Sequence, residues 1–156
     1  MKQAVKKGSE DIVTRWVTFR LDNETYGINV MQVQEVLRIS EIAPVPGAPS
    51  YVLGIINLRG NVVTVIDSRS RLGLSTVEPD DSSRVVIIET SKHVVGILVD
   101  SVAEVVDLAA SEIEPAPSVG TGESSQYIQG VASRDGVLVI LMDLNKLLGG
   151  DEFLNG

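Results

Sequence analysis

The sequence repeats within itself, and this constrains the fold more than any single motif does. The stretch Gly54-Ile-Ile-Asn-Leu-Arg-Gly60, then Asp67, then Leu72-Gly73, recurs as Gly130-Val-Ala-Ser-Arg-Asp-Gly136, Asp143 and Leu148-Gly149, every landmark displaced by 76 residues. Upstream, Tyr26-Gly27-Ile28, Val30, Val33 and Glu35-Val36 recur as Val95-Gly96-Ile97, Val99, Val102 and Glu104-Val105, displaced by 69. Between these blocks Pro44-Val-Pro46 answers Pro115-Ala-Pro117, and Tyr51-Val-Leu-Gly54 answers Tyr127-Ile-Gln-Gly130. The change of offset marks small insertions, chiefly the loop Gly120-Thr-Gly-Glu-Ser-Ser125. The 156 residues therefore divide into repeats at about 14–74 and 84–149 within a single domain, 14–149. Residues 75–83 form a linker, 1–13 a mobile N-terminal tail and 150–156 a C-terminal tail.

Each copy reads locally as mostly β. With 24 Val and 13 Ile against 14 Leu, the apolar residues are those that suit pleated, half-buried surfaces. Hairpins are expected at Thr14 to Leu21 with Tyr26 to Asn29, and at Arg84 to Glu89 with Val94 to Val99, turning at Asp22-Asn-Glu-Thr25 and Thr90-Ser-Lys-His93. Val30 to Val33 and Val99 to Val102 each suggest one helical turn before a strand through Glu35 or Glu104. An extended Pro-x-Pro segment follows. A second hairpin has Gly60-Asn61 or Asp135-Gly136 at its tip. A short helix then starts at Asp67 or Asp143 as N-cap and stops at Gly73 or Gly149. Five short strands in so few residues cannot lie open with both edges bare, so the expectation is mainly β structure: two pseudo-symmetric five-stranded SH3-like β-barrels with short helical turns. At that size neither copy owns an adequate core, so the barrels share one. The runs Val62 to Ile66, Val85 to Ile88 and Val137 to Met142 read as buried on both faces.

Chemistry-bearing residues are few. His93, the one histidine, falls at a hairpin tip, and cysteine is absent, so neither the usual zinc sites nor a disulfide framework can form. The absence of cysteine suits a reducing cytosol, and neither an apolar leader nor a membrane-length apolar run occurs. A formal charge of −8 repels phosphate backbones, which argues against nucleic acid. The Gly120 to Ser125 loop lacks the strand and lysine of a phosphate cradle, and Asp80-Asp81 reads as a solvated linker pair. No catalytic residues, metal or cofactor are expected.

Asymmetry between the copies is where function can have been added. Gly54, Gly60, Asp67 and Gly73 have twins and read as turn and cap residues. Arg59 faces Asp135 in the other copy, a charge reversal at a hairpin tip, and Asn57 is answered by Ser133. Glu35 is twinned by Glu104, and a Glu35–Arg59 pair at one end of the first barrel is one reading of both. Trp16 reads as core-edge.

These motifs resemble the CheW family of chemotaxis coupling proteins and the related regulatory domain of the kinase CheA, from about residue 14 to 149. The Gly-x-x-Asn-Leu-Arg-Gly hairpin carries most of the likeness, with Tyr26-Gly-Ile-Asn29 through Val33-Gln-Glu-Val36, Val65-Ile-Asp67, and Val95-Gly-Ile-Leu-Val-Asp100 through Glu104-Val105. Ser68 departs from the family's usual Asp-Leu-Arg run. The resemblance implies two barrels around a shared hydrophobic core and a non-enzymatic adaptor, cytoplasmic and recruited to membrane-associated receptor arrays. It would link the cytoplasmic helical tips of methyl-accepting chemoreceptors to the histidine kinase CheA. It assigns Val33, Glu35, Gly54, Arg59 and Val105 to receptor binding or kinase coupling, with Asn57 included for its place in the same hairpin. Gly54 would admit a partner helix closely, Val33 and Val105 would give apolar contact, and Arg59 with Glu35 would fix register. Alternatives are a coupling paralogue or regulatory domain of another chemosensory pathway, and, in another class, a small β-barrel ligand-binding module.

Overall fold

The computed structural model describes residues 11–91, 93–115 and 127–148. The first copy supplies strands β1 (Val13–Leu21), β2 (Glu24–Asn29), β3 (Val33–Arg38), β4 (Val52–Leu58) and β5 (Asn61–Asp67), then helix α1 (Ser68–Arg71). The second supplies β6 (Arg84–Glu89), β7 (Val94–Val99), β8 (Ser101–Ala109), β9 (Ile128–Arg134) and β10 (Val137–Met142), then α2 (Leu144–Leu147). Short 3-10 turns at Val30–Gln32 and Ala110–Glu112 precede β3 and follow β8.

The strands form two five-stranded sheets, but the sheets do not follow the repeats. One has the order β8-β1-β2-β10-β9 and the other β3-β6-β7-β5-β4. Each copy thus places its first two strands in one sheet and its last three in the other. We call them barrels I and II. Barrel I takes β1 and β2 from the first copy, and barrel II takes β6 and β7 from the second. This corrects the expectation of one barrel per copy: the barrels exist, and the strands are exchanged between them. The exchange is zipped by parallel pairs, β2 with β10 and β5 with β7, and by antiparallel pairs, β1 with β8 and β3 with β6.

Each barrel closes through one bridge. Ala43 and Ile55 exchange backbone hydrogen bonds of 2.8 and 2.9 Å in barrel II, and Glu114 and Val131 exchange two of 2.8 Å in barrel I. Three cores result. Trp16, Leu108, Val139 and Leu141 fill barrel I. Ile56, Val65, Val85 and Ile87 fill barrel II. Between them Phe19, Ile28, Ile66, Val86, Ile88, Ile97 and Met142 build the shared core. Strand β6 serves two of these at once, its alternate residues pointing into barrel II and into the shared core. Burial on both faces therefore holds for Val85 to Ile88. It fails at Val62, Val137 and Leu138, which are 68%, 48% and 50% exposed because they start the return strands of hairpins that project past the barrel wall.

Local chemistry follows the sequence closely. Asp67 and Asp143 cap their helices by accepting from the N–H groups of Arg69 and Lys146. Ser68 is buried and donates its hydroxyl to the Leu98 carbonyl, so the position stays satisfied without the usual leucine. The 3-10 turn at Val30–Gln32 forms because the Asn29 side chain accepts from Met31 N–H at 2.9 Å. Its twin position is Leu98, which cannot do this, and the expected turn at 99–102 is absent: β7 passes through Asp100 directly into β8. The first hairpin tip is Arg59-Gly60 and not Gly60-Asn61, in register with Asp135-Gly136. Gly149 and the 118–125 loop lie outside the described residues.

Candidate functional site

Two surface features emerge once the candidate residues are placed. The first is the tip of the β4–β5 hairpin. Arg59 adopts φ 52° and Gly60 φ 90°, the paired left-handed conformations of a tight hairpin turn. Asn57 holds that turn by accepting from Gly60 N–H at 2.8 Å. The turn aims the Arg59 guanidinium across the barrel mouth at Glu35 on β3, where Nη1 donates to Oε1 at 3.4 Å and Nη2 pairs with Oε2. The hydrogen bond from Arg59 holds the Glu35 carboxyl below its ordinary range, and Glu35 raises the arginine. Arg59 remains 69% exposed, so a partner can reach it. Asn57 also lines an open groove of about 550 Å³ beside the hairpin with Ile42, Ala43, Ile55 and Val62.

The second feature is a trough along barrel I at the β2-to-β3 crossover. Val13 on β1, Val30 and Met31 on the 3-10 turn, and Val105 on β8 give its apolar lining. Arg15 and Asp107, paired at 2.9 Å, lie between Val13 with Met31 at one end and Val105 at the other, and Arg134 donates to the Asp107 carbonyl at 2.7 Å. Met31 is 86% exposed, with Val13 and Val105 at 59% and 53%. This cluster of large apolar side chains left in water beside an ion pair makes the face a candidate docking surface.

The structure therefore sorts the candidates into four places. Glu35, Asn57 and Arg59 come together at the barrel II hairpin, and Val105 lies in the barrel I trough. Val33 is half-buried against the shared core and joins the two regions: it follows the 3-10 turn directly and sits two residues, about 7 Å of strand, before Glu35. Gly54 has a different surrounding from the one expected. It is buried, with φ +153°, and a Cβ there would come within 2.1 Å of the Ala43 carbonyl oxygen. Its twin Gly130 would meet the Glu114 carbonyl at 2.9 Å. The missing side chain makes room for the strand that closes the barrel, so the space a side chain at Gly54 would take is already occupied.

Val13, Val30 and Met31 are functional candidates that sequence reasoning missed. One signal was present: Met31 is the twin of Asp100, an apolar residue opposite an acid, which is the same kind of asymmetry that singles out Arg59. Trp16 is 2% exposed and donates Nε1–H to Thr14 Oγ1 at 2.8 Å, a core residue.

Comparison with known proteins agrees with this architecture. The CheW-like domain family matches residues 15–152. The chemotaxis protein CheW of Klebsiella aerogenes is 33% identical over 94% of this chain and 89% of its own length. That of Bacillus subtilis is 34% identical over 95% and 92%. The crystal structure of the scaffolding protein TtCheW from Thermoanaerobacter tengcongensis superposes with a TM-score of 0.82 at 33% identity, covering 90% of this chain and 96% of that one. Repeat, exchanged barrels, hairpin and sequence likeness all lead to one assignment: the chain belongs to the CheW-like domain family.

Proposed function

We propose that this protein is a non-enzymatic chemotaxis adaptor that couples chemoreceptors to the histidine kinase CheA and supports receptor control of the kinase. The relatives' names, chemotaxis protein and scaffolding protein, support the class. The observation that carries it to a mechanism is the trough: Val13, Val30, Met31 and Val105 offer an apolar strip suited to one face of an amphipathic helix, such as a receptor's cytoplasmic tip. The Arg15–Asp107 pair midway along the strip gives such a helix a charged contact, and β3 carries contact on through Val33 toward Glu35 and Arg59. The kinase is engaged through a separate barrel surface, which leaves both partners bound at once. No helix among the described residues is long and apolar enough to cross a membrane.

The test is co-sedimentation with purified kinase and receptor-containing membranes. Simultaneous recruitment of this protein and the kinase to the membranes supports the adaptor, and recruitment of neither overturns it. Met31→Asp removes an anchor whose full burial is worth about 1.5 kcal/mol or more, so receptor binding should weaken at least about 10-fold with kinase binding unchanged.

A further inference from the structure

The hairpin and trough leave unexplained a charged cluster at the junction of the barrels. Arg69 stands on α1, directly after β5 of barrel II, with its side chain 9% exposed. Its Nε donates to Asp100 Oδ1 at 2.9 Å, its Nη2 to Asp100 Oδ2 at 2.7 Å, and its Nη1 to the Ser75 carbonyl at 2.7 Å. Nη2 also meets Asp22 Oδ1 at 2.6 Å. Asp22 is in the β1–β2 turn of barrel I, at φ 55°, and donates its own N–H to Asp100 Oδ2 at 2.9 Å. Asp100 lies where the chain leaves β7 of barrel II for β8 of barrel I, and its N–H donates to the Arg20 carbonyl. One guanidinium thus ties barrel II to a turn of barrel I and to the crossover between the barrels.

Among the described residues the clip exists on one side of the pseudo-twofold. The twins of Arg69, Asp100 and Asp22 are Asn145, Met31 and Ser91. At the β2–β3 crossover the acid is replaced by the exposed methionine of the trough, so no equivalent of the clip stands there to share the load. Aliphatic packing in the shared core favours contact but tolerates small sliding, whereas a bidentate Arg–carboxylate pair fixes both distance and direction.

We propose that Arg69 is a positioning residue for coupling: it sets the angle between the two barrels, and hence between the trough on barrel I and the Glu35–Arg59 hairpin on barrel II. The coupling role rests on the adaptor function proposed above, while the fixed angle does not.

The natural chain has no cysteine, so Asn61→Cys on barrel II and Ser133→Cys on barrel I, both exposed, accept spin labels without competition. Electron–electron resonance distances should be single and narrow in the labelled parent, about twofold broader in Arg69→Gln and Asp100→Asn, and intermediate in Arg69→Lys, which keeps charge but loses the fork. Should Arg69→Gln not fold, Asp22→Asn, which removes the more exposed partner, should still broaden the distribution. In reconstituted arrays Arg69→Gln should bind kinase alone and receptor membranes alone within about twofold of the parent, yet lose about 10-fold in receptor-stimulated phosphorylation. An unchanged distance distribution overturns the clip, and a broadened one with parental stimulation overturns the positioning role. A parent that fails to bring kinase and membranes together overturns the adaptor function, and the distances still decide the clip.

Discussion

At the scale of single residues, the internal repeat supplies controls that the protein carries in itself. Asp135 occupies φ 53° at the twin of Arg59, so this turn already accepts an aspartate. Arg59→Asp should therefore leave circular dichroism and the melting temperature nearly unchanged while removing the pair with Glu35 and abolishing receptor-stimulated kinase activity. Parental phosphorylation with an intact fold would make Arg59 a passive tip. The Arg69 cluster has a different signature, in pH. Its hydrogen bonds hold the Asp100 carboxyl below the ordinary range against the opposing effect of burial, whereas burial pushes the Asp67 carboxyl up. A depressed carboxyl stabilises the fold fully above the unfolded value of about 3.9 and loses that contribution as pH falls through its folded value. A raised one works the other way, and Asp67 opposes folding least once it is protonated. Asp100→Asn should cost about 2 kcal/mol at pH 7, with the gap to the parent narrowing in urea titrations below about pH 4. An equal gap at pH 7 and pH 3 would show that the charge is not what Asp100 contributes. Arg59 was legible because its twin reverses its charge. Met31 and Arg69 carry the same signal against Asp100 and Asn145, yet sequence does not say that one faces water and the other is buried, since only the strand exchange decides it.

At the scale of elements, caps and turns were legible where one side chain makes the decision. Asp67, Asp143 and Asn29 each accept from a backbone N–H two or three residues on, and the loss of Asn29's function at Leu98 explains why one crossover has a 3-10 turn and the other is a straight passage. Glycines were less legible, because a sequence does not show what the missing Cβ would strike. Gly54 and Gly60 separate the two cases. At Gly60, φ is +90° with nothing within 4 Å, so Gly60→Ala should cost only the conformational term, about 1 kcal/mol. At Gly54 the Ala43 carbonyl blocks the space, and that carbonyl belongs to the bridge that closes barrel II. Gly54→Ala should cost about 3 kcal/mol in denaturant unfolding. Equal costs at the two positions would mean that barrel closure yields easily and that Gly54 has some other role. For the same reason Gly54→Asp tests folding before it tests binding, and a loss of receptor binding in that variant does not by itself locate a contact.

At the scale of the whole molecule, the duplication and the barrels were legible and the exchange was not. A repeated pattern of five strands looks the same whether each strand pairs within its own copy or with the other. What decides is the parallel zipping of β2 to β10 and β5 to β7, which no periodicity records. The consequence is that neither half of the chain contains a complete barrel. The first copy holds two strands of barrel I and three of barrel II, and the second holds the complement. Each would leave bare strand edges and only part of every core, including the shared one. Arg71 extends the same dependence: from the first copy it stacks at 4.6 Å over Tyr51 and 5.4 Å over that residue's twin Tyr127, and it donates to the Leu147 carbonyl of α2. Fragments cut within the 75–83 linker, 1–78 and 79–156, should therefore be unfolded when separate and regain the parent's β circular dichroism when mixed at equal concentration. Their joint stability should rise with concentration, because folding has become bimolecular. A fragment that folds cooperatively alone would show that one copy closes its own barrel and that the exchanged pairing is dispensable.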